Sequence, residues 1–421
     1  MSPPRLIEAS ASIARTLVRE SIWADGRCSW LGHCLSEVNP GSPATVTPLG
    51  PDLYSGTAGV AWFLAELAAV TQDKEVWRTA EGAMRHALAG VDSLARTSHL
   101  SLYNGCLGIA LASSRAGHAL RNEELRARAV AVARRSVALG DAGGPLDVVS
   151  GSAGAVLALL AIGEMESSND LVDAAERLAD RLADAAIKRD GTWSWSTRTA
   201  SGTYMGPRPL TGFSHGASGM AVALLEVARR TKRADLANGA DAAFAYEDRY
   251  FSDRHDNWPD LRTDGVTPWG NGTEAAYAFA WCHGAPGCAL ARVRALEQGC
   301  AEDRLLAGVE AGVRLVLRQL SDPSEDLADA TLCHGMGGVL ELLIAAAPVL
   351  HRPALVDEAV RVWEQLIAQH AAWCSWPSGL ATRGRAPGLM IGLSGVGHGL
   401  LRACGFGSSV LMPCGRPPVR E

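Results

Sequence analysis

FSHGASGMAVALLE, running from Phe213 to Glu226, sets two glycines three residues apart in front of an apolar run, and the chain repeats this phrase seven times. The other copies are YSGTAGVAWFLAEL from Tyr54, LYNGCLGIALA from Leu102, VVSGSAGAVLALL from Val148, WCHGAPGCALA from Trp281, LCHGMGGVLELL from Leu332 and MIGLSGVGHGLL from Met390. Their leading glycines are Gly56, Gly105, Gly151, Gly216, Gly284, Gly335 and Gly392, spaced 49, 46, 65, 68, 51 and 57 residues apart. A period of that length suits two helices and their connections.

Working outward, each phrase opens a stretch rich in Ala, Leu and Val. More charged stretches with apolar residues at helical spacing precede the phrases, near residues 4–22, 74–90, 121–139, 170–188, 233–250, 300–320 and 354–373. In DLVDAAERLADRLADAAIK, Leu171, Ala175, Leu178 and Leu182 share one face, and Asp173, Glu176, Arg177 and Asp180 fall mostly on the other. A helix that is apolar all round must be buried, and the amphipathic ones must cover it. Pairing each apolar helix with the amphipathic one before it predicts an all-α fold. It is one α/α toroid of seven inner and seven outer helices, a single domain over 1–421. Glycine favours closure over an open solenoid, because it lets backbones approach closely where inner helices crowd at the axis.

Composition agrees with a globular chain: 421 residues, 48% hydrophobic and 20% charged. Glycine alone is high, at 45 residues, and the excess sits in the repeated phrase. The 39 basic and 45 acidic side chains are interspersed, for a formal charge of −6, which argues against nucleic-acid binding. No apolar run reaches the roughly 18 residues of a membrane span. The opening MSPPRLIEAS lacks a secretory core, so a cytoplasmic protein is expected. Ten cysteines in such a chain suggest metal binding or catalysis where clustered, and inert buried groups elsewhere, as for Cys106, Cys288, Cys300 and Cys404.

Aligned on the leading glycine, the residues one back are Ser55, Asn104, Ser150, His215, His283, His334 and Ile391. Two back stand Tyr54, Tyr103, Val149, Ser214, Cys282, Cys333 and Met390. In a ring these positions meet at one end of the axis, forming a polar crown with Cys and His gathered in repeats four to six. Cys282, Cys333 and His334 form a candidate zinc site: catalytic zinc takes three protein ligands and keeps a fourth position open, and thiolate and imidazole both suit it. His283 is read as a wall residue, a closed four-ligand site being the alternative. His215 is a candidate general acid or base. Asp147 either orients His215 or a substrate amide, or caps a helix. His398 lies past the crown and reads as packing.

These phrases resemble the lanthionine synthetase C family of lanthipeptide cyclases. GFSHGASG, WCHGAPG, LCHGMGG and LMIGLSGVGHGLLR carry the likeness, with LYNGCLG and DLYSGTAG upstream, over roughly Ile13 to Ala403. The resemblance implies one central zinc ion per chain on Cys282, Cys333 and His334, with His215 as acid/base residue and Asp147 as the third-repeat aspartate. It implies a peptide substrate already dehydrated by a separate dehydratase or kinase/lyase enzyme. Cys thiols of that peptide add to dehydroalanine or dehydrobutyrine, closing thioether rings. The phrases look closest to cyclase domains of two-function synthetases. No dehydratase, kinase-like or lyase region precedes them, so a free-standing cytoplasmic cyclase, membrane-associated only through a biosynthetic complex, is the simpler expectation.

Rival readings are a non-catalytic module that binds thiols or peptides, and addition of an external thiol such as glutathione. An α/α-barrel glycosidase would need two carboxylates facing one cavity. Long connections near 23–53, 189–213 and 251–281 hold Trp23, Trp30, Trp193, Trp195, Trp258, Trp269 and Trp281, and Trp373 and Trp376 precede the last repeat. They read equally as a peptide-binding rim or as pins for the loops. Cys28, His33 and Cys34 are weak evidence for a second metal site.

Overall fold

Among the described residues, fourteen helices follow one another. They are α1 (Pro3–Glu20), α2 (Thr57–Thr71), α3 (Lys74–Ala89), α4 (Cys106–Ala119), α5 (Glu123–Leu139), α6 (Ser152–Met165) and α7 (Asn169–Ala185). Then come α8 (Ala217–Thr231), α9 (Ala234–Asp248), α10 (Ala285–Glu297), α11 (Asp303–Leu320), α12 (Met336–Val349), α13 (Ala354–His370) and α14 (Leu393–Ala403). The computed structural model describes residues 3–34, 45–140, 143–198, 202–262, 276–300, 302–321, 329–370, 376–380 and 385–414.

The seven leading glycines are the N-caps of the even-numbered helices, and those helices are buried along most of their length. The odd-numbered helices bury one stripe; in α7 it is Leu171, Ala174, Ala175, Ala179 and Leu182. Inner helices therefore form a core ring inside an outer ring, the α/α toroid that the repeats predict.

Pairing within the ring differs from the expectation. Of the outer helices, the one that packs most closely on each inner helix from α2 to α12 is the one that follows it, as α3 does on α2 and α5 on α4. The turns between them are short and end on left-handed residues such as Gln72, Lys232 and His351, which stop a helix within one residue. The N-terminal helix α1 is left to cover the C-terminal α14, where Ser10 Oγ donates to the carbonyl of Gly397 at 2.9 Å. The two ends of the chain thus close the ring. α14 also packs on α2, so the inner circle is complete.

The second glycine of each phrase explains the fixed spacing. A Cβ on Gly108 would overlap the carbonyl of Leu102 and press on Leu53 of the preceding repeat. At Gly59 the same overlap involves Leu53 and, across the closure, Leu389 of the last repeat. Only glycine permits that approach.

Among the described residues, six short strands make three antiparallel pairs: β1 (Ile22–Ala24) with β2 (Arg27–Ser29), β3 (Leu31–Cys34) with β4 (Thr45–Pro48), and β5 (Ile187–Arg189) with β6 (Thr192–Ser194). The helical reading missed them. Asp25-Gly26 and Asp190-Gly191, all at positive φ, are the two-residue turns that match strand twist. Each of those two hairpins leads into a tryptophan that folds back on the preceding outer helix: Trp30 Nε1 donates to Leu17 O and Trp195 Nε1 to Leu182 O, both at 2.8 Å. Trp30, Trp195, Trp258 and Trp281 are buried, so these indoles fasten loops to the toroid. Trp23 and Trp193 are half-buried under Arg78 and Lys188. Trp376 packs on His370. Trp269 and Trp373 lie outside the described residues. Trp195→Ala should cost about 3–5 kcal/mol of stability, read by urea unfolding, through a large cavity and a lost hydrogen bond. A change below about 1 kcal/mol would mean that the indole is not a pin.

After α14 the chain turns under the toroid. Val410, Leu411 and Met412 are buried there. The carbonyls of Gly407, Pro413 and Cys414 accept from Arg402, Arg115 and Arg294, and that of Val410 from the Tyr103 hydroxyl. A cavity of about 930 Å³ lies at this end, among the C-termini of the inner helices, and includes none of the crown residues. Its Arg402 and Arg294 are paired with Glu341 and Glu226. No described helix is long and apolar enough to cross a membrane.

Candidate active site

The turns ahead of the inner helices are stitched into a circle by backbone hydrogen bonds. Tyr54 N donates to Tyr103 O, Tyr103 N to Val149 O, Val148 N to Ser214 O and Ser214 N to Cys282 O. Cys282 N donates to Cys333 O, Cys333 N to Met390 O, and Met390 N to Tyr54 O. The circle passes through all seven residues that stand two before a leading glycine. It holds the crown at one end of the axis, over the N-termini of all seven inner helices. Just below, Tyr103 packs on Trp281 with ring centroids 5.5 Å apart, and on Tyr54 at 6.5 Å. Aromatic side chains thus pack beneath the crown.

Cys282 and Cys333, neighbours in the circle, bring their thiols into hydrogen-bond contact. The bond from Cys333 lowers the Cys282 thiol to about 7, with help from His334 and Arg262 and against the opposing effect of burial. The same bond and burial hold Cys333 well above its ordinary value, while the Tyr54 hydroxyl donates to its sulfur and partly offsets this. His334 Nε2 lies 2.8 Å from the carbonyl of Gly379 and 4.0 Å from Asp329 Oδ2. Among the described residues, no three His, Cys, Asp or Glu side chains already surround one point as metal ligands. The donor chemistry nonetheless suits zinc: two adjacent thiols, one of them acidic, and an imidazole. With Nε2–H given to a carbonyl, that imidazole keeps Nδ1 as its lone-pair donor.

His215 stands in the neighbouring repeat. Its Nδ1 is 2.7 Å from Oδ2 of the buried Asp147, so the ring donates there and leaves Nε2 for chemistry. The other carboxylate oxygen, Oδ1, accepts from Ser150 N at 2.7 Å. Asp147 therefore caps its own turn and orients His215 at once. His283 is buried beside His215, ring centroids 5.8 Å apart; desolvation and then Arg262 push its imidazole down to about 3, so it is neutral. His398 sits deep in α14, 3.2 Å from Glu66 Oε2, away from the crown. Cys28 is a buried thiol, donating to Thr79 O and pushed up to about 12 by burial; His33 faces Arg385 O.

Sequence reading missed several crown residues. Tyr54 was already in the register, and only its contact with Cys333 was hidden. Arg262, in the loop before α10, projects positive charge at both thiols and forks onto Asp260; no repeat position marks it. Asp147 is also not alone: Asp52 caps the first turn and Asp329 the sixth.

A family model described as lanthionine synthetase C-like protein matches residues 47–405. No curated protein matches the chain. Among solved structures, nisin cyclase superposes with a TM-score of 0.58 at 18% identity, covering 83% of this chain and 87% of that one. An unsaturated glucuronyl hydrolase specific for heparin gives 0.45 at 12%, covering 80% and 87%. An alpha-1,6-mannanase of Salegentibacter sp. gives 0.41 at 10%, covering 95% and 98%. The match to nisin cyclase shows the shared fold. With the family model spanning most of the chain, the protein belongs to the lanthionine synthetase C-like family.

Proposed function

We propose that this protein is a zinc-dependent peptide cyclase that joins Cys thiols to dehydroalanine or dehydrobutyrine residues of a dehydrated precursor peptide. The observation that carries this reading is the meeting, at one end of the toroid, of a hydrogen-bonded Cys282–Cys333 pair with a His215–Asp147 pair. Cys282, Cys333 and His334 would hold the zinc. When bound, it supplies acidification of an incoming thiol, which otherwise titrates near 8.5.

The reaction forms an S–Cβ bond, breaks the Cα=Cβ π bond and moves the thiol proton to Cα, so the mass of the peptide is unchanged. His215, held by Asp147, is the group placed to take or return that proton through Nε2. The seven inner-helix N-termini and Arg262 offer positive charge to the enolate that develops at the acceptor carbonyl. A module that merely binds thiols has no use for an oriented imidazole, which favours catalysis.

The test incubates the protein with a dehydrated Cys-containing peptide, and separately with glutathione. Loss of alkylatable peptide thiols at constant mass supports ring closure. A gain equal to the mass of glutathione supports external-thiol addition. Binding of the peptide with neither change would leave a binding protein.

A further inference from the structure

The turn that carries His215 departs from the rule that the three repeats before it follow. In the first three repeats, the side chain four before the leading glycine accepts from the backbone N–H one before it. Asp52 Oδ1 holds Ser55 N at 2.7 Å, Ser101 Oγ holds Asn104 N at 3.0 Å, and Asp147 Oδ1 holds Ser150 N at 2.7 Å. In the fourth repeat that place is Gly212, at φ +108, with no side chain to offer. That backbone conformation favours glycine, and a Cβ there would crowd the carbonyl of Cys282 at 3.2 Å and touch His283, so the local cap is given up.

Two residues from elsewhere hold the turn instead. Glu247, buried on the outer helix α9, reaches in and accepts from Gly212 N and from Ser218 N, both at 2.9 Å, on either side of His215. Arg292 on α10, fully buried, steadies the Glu247 carboxylate at 3.1 Å. Thr197, buried ahead of α8, donates its hydroxyl to the carbonyl of His215 itself at 2.7 Å. Asp147 fixes which way the imidazole faces, but the position of its Nε2 depends on the backbone beneath it.

We propose that Thr197 and Glu247 are positioning residues for His215, replacing the cap that this repeat lacks. The inference rests on the proposed acid/base role of His215. A misplacement of about 1 Å can cost on the order of 10²-fold in rate, and a single clamp should account for part of that.

The experiment compares ring formation by wild type, Thr197→Val, Thr197→Ser and Glu247→Gln, with thermal unfolding and bound zinc measured on each. Thr197→Val should lower kcat about 10-fold with KM and zinc content unchanged, and Thr197→Ser, which keeps the hydroxyl, should restore most of it. In a His215→Ala background, Thr197→Val should cost nothing further, because its effect passes through the imidazole. Glu247→Gln removes the charge facing Arg292; if it does not fold, the Thr197 pair decides. An equal loss in both backgrounds, or full kcat in Thr197→Val, overturns the proposal. Full activity in His215→Ala overturns the reading of His215 instead, and a wild-type protein inactive on dehydrated peptide overturns the cyclase reading.

Discussion

Cys333→Ala should bring bound zinc from one per chain to none, and ring formation should fall to the uncatalysed rate with it. Cys333 is buried and sits between two partners: its thiol meets Cys282 and accepts from Tyr54. Removing it leaves one thiol and one imidazole, too few to hold the ion in an open tetrahedral site. The fold should survive, since the crown circle uses the backbone of residue 333, which alanine keeps. Metal content by plasma mass spectrometry is the direct readout. Thermal unfolding adds a second, because an ion bound only by the folded state stabilises it. Chelator should lower the Tm of wild type and leave that of the variant unmoved. Equal zinc in both proteins would remove Cys333 from the ligand set, and a wild type that takes up no zinc would sink the zinc-dependent mechanism.

The next largest effect is expected at His215. His215→Ala should lower the rate by about 10²–10⁴-fold, the range of a positioned acid or base, with zinc content unchanged. Asp147→Asn should cost less, since the imidazole stays in place without its carboxylate. Combining the two should cost no more than His215→Ala alone, because a pair that acts as a unit is not additive. The Nδ1 contact at 2.7 Å and the burial of Asp147 support this ordering. Loss of zinc in His215→Ala would make His215 a ligand, and an unchanged rate would move the proton transfer to another group. His283, buried and neutral beside it, is then the group to examine.

The local part of this protein is legible in its residues one by one. A glycine that caps a helix and a second glycine under a carbonyl are properties of a seven-residue phrase, and seven copies of the phrase announce seven inner helices. The register also names the crown, since residues at equal distance from equivalent caps must lie at equal height. Cys282, Cys333, His334, His215 and Asp147 were all legible in this way as candidates. The β-hairpins carried a readable signal in Asp25-Gly26 and Asp190-Gly191, which helical periodicity overrode.

The sequence alone determined the repeated hairpins, the glycine caps and the height of the chemistry-bearing residues, because each depends on neighbours a few positions apart. Only the tertiary structure decided the pairing of α1 with α14, the contact of Tyr54 with Cys333, the charge of Arg262 on the thiols, and the clamp of Glu247 and Thr197 on the His215 turn. Those contacts join distant parts of the chain, and they exist because the ring closes and sets outer helices and long loops against particular turns. A repeat register gives a residue its height on the axis; the direction of its side chain, and the partner it finds there, come from packing around the whole circle.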